Sequence, residues 1–324
     1  MDGSGFSELD LVARVTDRVR ASIERVIEGK PDVVRSTVVV LLAQGHLLLE
    51  DVPGVGKTML AKALARSIDS SVQRIQFTPD LLPSDVTGVS VFNQETHQFE
   101  FRPGGVFANI VIGDEINRAS PKTQSALLEC MEERQVTVDG RTHRLDSPFM
   151  VIATQNPIEM EGTYALPEAQ RDRFLARISL GYPVPDAELD MLAHHTAAHP
   201  LDELEPVTDG PELRKLIGIV SRVHVSDPVL RYVVGLATAT RSSPELALGA
   251  SPRATIHLVR AARAMAAMAG RDYVLPDDVR ELAQPVLAHR LVPGVEASMQ
   301  GRGTDAVLAD VLESVPVPEP RPRA

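Results

Sequence analysis

The chain has 324 residues, enough for two domains, and its 44% hydrophobic and 24% charged residues are typical of globular proteins. A formal net charge of −11 argues against a dedicated nucleic-acid binder, and an aromatic content of 4% without tryptophan leaves little surface for base stacking. The single cysteine, Cys130, cannot form an intrachain disulfide, and no apolar stretch has the length of a membrane span. These features predict a cytoplasmic protein.

In the first half of the chain, apolar runs of strand length alternate with helical patterns. Helices are predicted over residues 11–28 and 33–43, and a third follows a Gly-rich turn at residues 59–68. Strands are predicted at 47–49, 72–77, 109–113, 149–153 and 176–180, with a helix at 121–133 that Ser120 caps. Because strands alternate with helices, the pattern predicts an α/β fold with a parallel sheet covered by helices on both faces.

Two segments interrupt this alternation, and the character of the chain changes near residue 185. Residues 89–101 and 136–145 each have the pattern of a β-hairpin, the second with an Asp139-Gly140 turn. From residue 186 to 291 only helical periodicity is evident, which predicts a helical second domain without strands. The last ten residues alternate proline with charges, so a disordered tail is expected there.

A Gly-rich turn directly after the first strand has the composition of a phosphate-binding loop. Gly54 and Gly56 allow the backbone to wrap and to point its N–H groups at phosphate oxygens, and the following helix adds its positive end. Lys57 is then expected to reach the β- and γ-phosphates, and the Thr58 hydroxyl to contact Mg²⁺. The strict pattern requires a glycine at the position of Asp51. An ordinary β-turn-α connection is the alternative.

Polar residues also follow two later strands. Asp114 and Glu115 end one buried strand, where one carboxylate can hold Mg²⁺ and the other can orient or deprotonate the attacking water. We assign Asp114 to the metal and Glu115 to the water. Asn156 ends the next strand and is expected to contact the γ-phosphate or the water. In a parallel sheet these residues share an edge with the phosphate loop.

Three arginines are candidates for stabilising the charge that develops in phosphoryl transfer. Arg171 and Arg173 precede the last predicted strand, and the alternative interpretation is a surface pair bonding the intervening Asp172. Arg253 lies in the first turn of a helix that Ser251-Pro252 begins. Since the helix dipole disfavours a cation there, an anionic group is expected to face it, such as a bound γ-phosphate.

Six stretches in this order resemble the MoxR family of AAA+ ATPases over roughly residues 20–295. They are Glu-Asp-Val-Pro-Gly-Val-Gly-Lys-Thr (50–58), Phe-Thr-Pro-Asp-Leu-Leu-Pro-Ser-Asp (77–85), Asp-Glu-Ile-Asn-Arg-Ala (114–119), Met-Glu-Glu-Arg-Gln-Val-Thr (131–137), Ala-Thr-Gln-Asn-Pro (153–157) and Gly-Ala-Ser-Pro-Arg-Ala (249–254). The resemblance implies a P-loop AAA+ core with N-terminal helices at 1–184, an all-α lid at 185–295, and a C-terminal helix with a Pro-rich tail at 296–324. The two hairpins match the family's helix-2 and pre-sensor-1 insertions.

The resemblance also implies ATP and Mg²⁺ as cofactors and assigns roles to individual residues. The implied catalytic set is Glu115 of Walker B, Asn156 as sensor 1, Arg173 as arginine finger and Arg253 as sensor 2, with Arg171 left open as the finger. Mg²⁺ is assigned to Thr58 and Asp114. The implied nucleotide-binding residues are Gly29, Pro53, Gly54, Val55, Gly56, Lys57, Thr58 and Met59.

Partners are likewise implied by the resemblance. Such ATPases typically form rings, often hexamers, with active sites between subunits, and MoxR-like members act as chaperones in complex assembly or metal-cofactor insertion, often with von Willebrand A-domain proteins. A homo-oligomeric ring with a client protein and without nucleic acid is therefore expected. The alternatives are a nucleic-acid motor, which the basic residues Arg141 and Arg144 on one hairpin favour and the acidic net charge disfavours, and a metabolic P-loop kinase.

Overall fold

The computed structural model describes residues 7–52, 54–156, 164–182 and 200–318. Helices in these ranges are α1 (Glu8–Glu24), α2 (Pro31–Leu42), α3 (Lys57–Ser67), α4 (Pro83–Thr87), α5 (Pro121–Glu133), α6 (Glu168–Arg171), α7 (Gly210–Ser221), α8 (Asp227–Ser242), α9 (Pro252–Met268), α10 (Pro276–Leu287), α11 (Val295–Met299) and α12 (Thr304–Ser314). Strands are β1 (Leu47–Glu50), β2 (Val72–Gln76), β3 (Gly88–Asn93), β4 (Gln98–Pro103), β5 (Ile110–Asp114), β6 (Gln135–Val138), β7 (Arg141–Arg144), β8 (Met150–Gln155), β9 (Ala176–Ile178), β10 (Leu246–Leu248) and β11 (Val292–Pro293).

A five-stranded parallel sheet with the order β2-β5-β8-β1-β9 forms the centre of the fold. Leu47 at the start of β1 pairs with Ile152 of β8 on one side and with Ala176 of β9 on the other. All five strands run the same way, so their C-terminal ends form one edge, the carboxyl edge, and their N-terminal ends form the opposite edge, the amino edge. The phosphate loop, Asp114 and Asn156 follow strand ends at the carboxyl edge.

The sheet is buried on both faces, as the continuous apolar runs predict. Leu47 and Leu49 point into a core shared with α1, α2, α3 and the helices of the second half of the chain. Leu48, between them, points to the other face and packs with Phe77, Leu127 and Phe174. The prediction of a parallel sheet with helices on both faces is confirmed.

Both predicted hairpins form beside the sheet. β3 pairs with β4 through Gly88 and Pro103 at one end and Asn93 and Gln98 at the other, while Gln135 and Arg144 begin the pairing of β6 with β7. At the tip of the second hairpin Asp139 and Gly140 have positive φ of 49° and 74°. This is the conformation that a two-residue Asp-Gly turn requires.

Where it is described, the second half of the chain is mainly helical, with one local departure from the sequence prediction. No strand was expected between residues 186 and 291, yet β10 lies there and pairs antiparallel with β11. A strand of three residues is too short to show an alternating pattern, and it forms because Val292 and Pro293 return to it in space. Helix α9 begins as expected, with the Ser251 hydroxyl accepting a hydrogen bond from the Ala254 N–H at 3.0 Å.

Some predicted features fall outside the described residues. The boundary at 184/185 lies within 183–199, and the final six residues of the tail, like Pro53, also lie outside. None of the helices in the described ranges combines the length and the apolar run needed to cross a bilayer.

Candidate functional site

The phosphate loop has the backbone that the glycines predict. Gly54 and Gly56 have φ of 85° and 95°, and Gly56 is the N-cap of α3. No atom lies within 4 Å of a Cβ built on Gly54, so the left-handed backbone rather than crowding is the reason for glycine there. Lys57 Nζ donates to the Asp51 carbonyl oxygen at 2.8 Å, which holds the ammonium group over the loop.

Asp51, at the position where the strict phosphate-loop pattern has glycine, ties the loop to the end of β9. One carboxylate oxygen accepts hydrogen bonds from the backbone N–H of Leu180 at 2.5 Å and of Gly181 at 2.8 Å, and from the Ser179 hydroxyl at 2.9 Å. Asp51 is 8% exposed. The aspartate is thus a structural clamp whose partners lie about 130 residues further along the chain, which sequence inspection missed.

Asp114 lies beside Thr58 at the carboxyl edge. The Thr58 hydroxyl lies 3.3 Å from Asp114 Oδ2, and the Thr154 hydroxyl donates to Asp114 Oδ1 at 3.1 Å. Arg74 Nε also donates to Asp114 Oδ2, at 2.7 Å. Two oxygen donors beside a phosphate loop fit Mg²⁺, which takes few protein ligands and the remainder from phosphates and water.

Glu115 has a backbone conformation that is uncommon for its residue type. Its φ of 56° and ψ of 51° lie in the left-handed region, and its N–H donates to the Thr154 hydroxyl at 2.9 Å. Gln76 Nε2 donates to its carboxylate at 2.8 Å, and Arg118 lies 3.0 Å from the same oxygen. Such local strain is concentrated at functional sites. The polar partners Arg74, Gln76 and Thr154 were missed from sequence, because only the sheet brings them to the two acids.

Asn156 follows β8 at the same edge and is buried. The backbone carbonyl oxygen of Asn156 accepts a hydrogen bond from Asn117 Nδ2 at 3.3 Å, so the strand end is held beside the turn after Glu115. The Gly29 segment is also connected to this edge: Lys30 Nζ donates to the Tyr182 carbonyl at 2.8 Å, next to Gly181 of the Asp51 clamp. Gly29 itself has a φ of 70°.

The candidate arginines lie at the opposite, amino edge. Arg173 lies just before β9. Leu175, also just before β9, donates its backbone N–H to the carbonyl oxygen of His46, which lies just before β1, so this segment is at the start of the two strands. Arg173 Nε lies 3.2 Å from Glu132 Oε2, and Arg253 contacts Glu132 Oε1. The anionic groups that face Arg253 are therefore Glu132 and, at 3.5 Å, Asp172 of the same chain. Within one molecule Arg253 faces carboxylates rather than its own phosphate loop.

The alternative interpretation of Arg171 and Arg173 as a surface pair sharing Asp172 is wrong. Arg171 pairs with Glu168 at 3.5 Å, and Arg173 pairs with Glu132. Asp172 instead binds Arg290 at 2.8 Å, a buried residue that sequence inspection did not single out.

The buried side chains of His257 and Cys130 are unsuited to acid-base or nucleophilic chemistry at neutral pH. Burial lowers the pKa of His257 to about 3, helped by Arg290, Arg260 and Arg253. Burial, together with Glu129, raises the pKa of the Cys130 thiol to about 12. Neither group is therefore a candidate for the chemistry.

Fold and site together define a P-loop ATPase of the AAA+ class. Residues 46–176 match the model of the ATPase family associated with various cellular activities, and residues 238–311 match the AAA lid domain. The chain is 52% identical to YeaC of Bacillus subtilis over 92% of this chain and 93% of that protein. It is 42% identical to Chaperone MoxR1 of Mycobacterium tuberculosis, over 97% of this chain and 85% of the relative. A crystal structure from Cytophaga hutchinsonii superposes with a TM-score of 0.90 at 37% identity, covering 96% of this chain and 97% of the other.

The chain belongs to the MoxR family of AAA+ ATPases, which confirms the family that the sequence motifs indicate.

Proposed function

We propose that the protein is a Mg²⁺-dependent ATPase that works as a homo-oligomeric ring, expected to be a hexamer, with each active site shared by two subunits. The separation of the functional residues carries this proposal. The phosphate loop and the acids Asp114 and Glu115 lie at the carboxyl edge, whereas Arg173 and Arg253 lie at the amino edge. Two subunits packed edge to edge bring the two sets together, and a ring repeats that contact without leaving an unpaired end.

The amino edge offers a basic cavity suited to a neighbour's phosphate. A cavity of about 260 Å³ is lined by residues that include Arg134, Arg173, Arg253 and Arg260, with Glu132 as the carboxylate among them. A guanidinium supplied across an interface stabilises the charge of phosphoryl transfer. Glu132 keeps the two arginines of the free edge paired until a phosphate of the neighbouring subunit replaces it.

At the carboxyl edge the loop N–H groups and Lys57 bind the phosphates, and Thr58 and Asp114 would hold Mg²⁺. The metal supplies charge neutralisation for the transferring phosphoryl group. Glu115 accepts the proton of the attacking water, and Asn156 orients that water or the γ-phosphate. Gly29, Pro53, Val55 and Met59 complete the proposed nucleotide site.

The client is proposed to be a protein that is remodelled in the cytoplasm during complex assembly or metal-cofactor insertion, and the proposed partner is a von Willebrand A-domain protein. The exposed aromatic pair on the β3–β4 hairpin supports a polypeptide client. Phe92 and Phe99 are 47% and 68% exposed and pack edge to face with ring centroids 5.3 Å apart. Exposed apolar groups on a projecting hairpin are typical of binding surfaces. The neighbouring Glu95 and Glu100 make this hairpin unsuited to a phosphate backbone.

Mixing two inactive variants tests the shared site. Arg173→Ala is expected to bind ATP and hydrolyse it about a thousandfold more slowly, and Glu115→Gln is expected to be equally inactive. After subunit exchange, the intact phosphate site of one variant faces the intact arginine of the other, and ATPase activity returns. The same cycle with Arg171→Ala, whose arginine pairs with Glu168, decides which of the two arginines is the finger. A mixture that exchanges subunits and stays inactive contradicts the shared site.

Capture with Glu115→Gln, which is expected to retain ATP, tests the client. The same variant with Phe92→Ser and Phe99→Ser serves as the control and should lose the captured protein while keeping nucleotide binding. Stimulation of the ATPase by DNA, with binding that weakens steeply as salt rises, would instead support the nucleic-acid motor.

A further inference from the structure

Asp172 lies between the core and the helical second domain, one residue before Arg173. It follows α6, and its side chain is 17% exposed. Its Oδ1 accepts hydrogen bonds from the Ser251 hydroxyl at 2.8 Å and from Arg290 Nε at 2.8 Å, and its Oδ2 lies 3.5 Å from Arg253. One carboxylate of the core thus binds three side chains of the second domain.

The contact with Ser251 fixes the start of α9. The Ser251 hydroxyl donates to Asp172 and accepts from the Ala254 N–H at 3.0 Å, so a single hydroxyl both caps the helix and joins it to the core. Arg253 lies in the first turn of this helix. Its position therefore depends on where Asp172 holds the N-cap.

The Arg290 guanidinium is buried, so its positive charge requires a negative charge beside it. The Arg290 side chain is 1% exposed, and its guanidinium also donates to the carbonyl oxygens of Asp172, at 3.1 Å, and of Leu175, at 3.2 Å. Burial lowers the pKa of Arg290 to about 10, while Asp172 opposes this shift, so the group stays charged at neutral pH. Removing one member of such a pair leaves an uncompensated buried charge.

Arg173 and Arg253 meet on the same carboxylate although they belong to different domains. Both contact Glu132, each through a different oxygen. Asp172 is the covalent neighbour of Arg173, and it is connected to Arg253 through the Ser251 N-cap and through an ion pair at 3.5 Å.

We propose that Asp172 is a positioning residue that holds Arg173 and Arg253 as one unit, so that both reach the nucleotide of the neighbouring subunit. This inference rests on the proposed shared active site. Asp172 does not touch the nucleotide; it acts through the two arginines.

The test is Asp172→Asn, which keeps the size of the side chain and removes its charge. The turnover number is expected to fall about a hundredfold, because a displacement of about 1 Å in a catalytic group costs that much. ATP affinity is expected to stay within about twofold, since the protein's own phosphate loop is unchanged. Glu168→Gln is the matched control: its carboxylate lies four residues earlier and pairs with Arg171 at 3.5 Å, and the variant should keep parental turnover.

Complementation separates a positioning role from general damage. Mixed with Glu115→Gln under subunit exchange, Asp172→Asn should regain activity well above the sum of the separate proteins, because its intact phosphate site then faces intact arginines. A variant that is merely destabilised would not regain activity. If Asp172→Asn does not fold, Asp172→Asn with Arg290→Gln removes the uncompensated charge and should show the same complementation.

Two results overturn the inference: parental turnover in Asp172→Asn, or no complementation by either variant. The Arg173→Ala and Glu115→Gln mixture distinguishes the two levels of failure. If that mixture stays inactive, the shared site itself is wrong. If it regains activity while the Asp172 variants do not, only the positioning role is wrong.

Discussion

Asp51→Gly, which restores the glycine of the strict phosphate-loop pattern, is expected to destabilise the protein. Glycine is not needed at this position for its conformation, because Asp51 does not have the positive φ seen at Gly54 and Gly56. The substitution removes the acceptor of the Leu180 and Gly181 N–H groups and of the Ser179 hydroxyl. A sequence pattern alone predicts the opposite, a neutral or favourable change.

The size of this destabilisation follows from the backbone N–H groups that lose their acceptor. Leu180 N–H is buried, and losing its acceptor costs about 1–3 kcal/mol. The Gly181 N–H is only partly buried, so water replaces some of its lost hydrogen bond. The glycine introduced at position 51 also gives the unfolded chain more backbone freedom, which costs about 0.5–1 kcal/mol. The free energy of unfolding should therefore fall by about 2–4 kcal/mol, or the melting temperature by roughly 5–10 °C.

Thermal and urea unfolding at fixed protein concentration measure this loss. Asp51→Asn keeps one acceptor oxygen and is expected to lose about half as much. Asp69→Gly is a matched aspartate-to-glycine control, because Asp69 is exposed and already has a φ of 43° that glycine adopts without strain. Changes at neutral surface positions typically stay within about 0.5 kcal/mol. If the free energy of unfolding of Asp51→Gly differs from that of the parent by no more than this, the stabilising role of Asp51 is refuted.

Three further predictions concern the site and its support. Lys57→Ala should retain the fold and lose most of its ATP affinity in a fluorescence titration; unchanged affinity would argue against the assigned loop. Glu115→Gln should bind ATP and keep it unhydrolysed, whereas Asp114→Asn should change the Mg²⁺ dependence of turnover; hydrolysis at the parental rate in Glu115→Gln would mean that another residue is the base. Burial lowers the pKa of His46 from 6.5 to about 4, so the unfolded chain takes up the proton first as pH falls. His46 should therefore reduce the free energy of unfolding by about 2 kcal/mol between pH 7 and 5, and His46→Gln should lessen this dependence; parallel profiles for the two proteins would contradict the assignment.

Features that depend on neighbours along the chain could be predicted from the amino-acid sequence alone. The turn at Asp139-Gly140, the cap at Ser120 and the order of strand, glycine loop and helix at Lys57 all formed as predicted. Each depends on the backbone preferences and hydrogen bonds of a few consecutive residues, which sequence patterns record directly. The parallel sheet followed as well, because the spacing of buried strands and helices leaves few ways to cover them.

Contacts between distant segments could not be predicted from the sequence, because they form only when the whole chain is folded. The Asp51 clamp joins residues about 130 positions apart, Thr154 connects the two acids from a neighbouring strand, and β10 forms a strand only because β11 returns to it. Arg253 lies at the amino edge because of how the second domain packs on the core through Asp172 and Arg290. Packing of this kind depends on the shapes and charges of whole surfaces, so no local pattern in the sequence specifies which carboxylate an arginine meets.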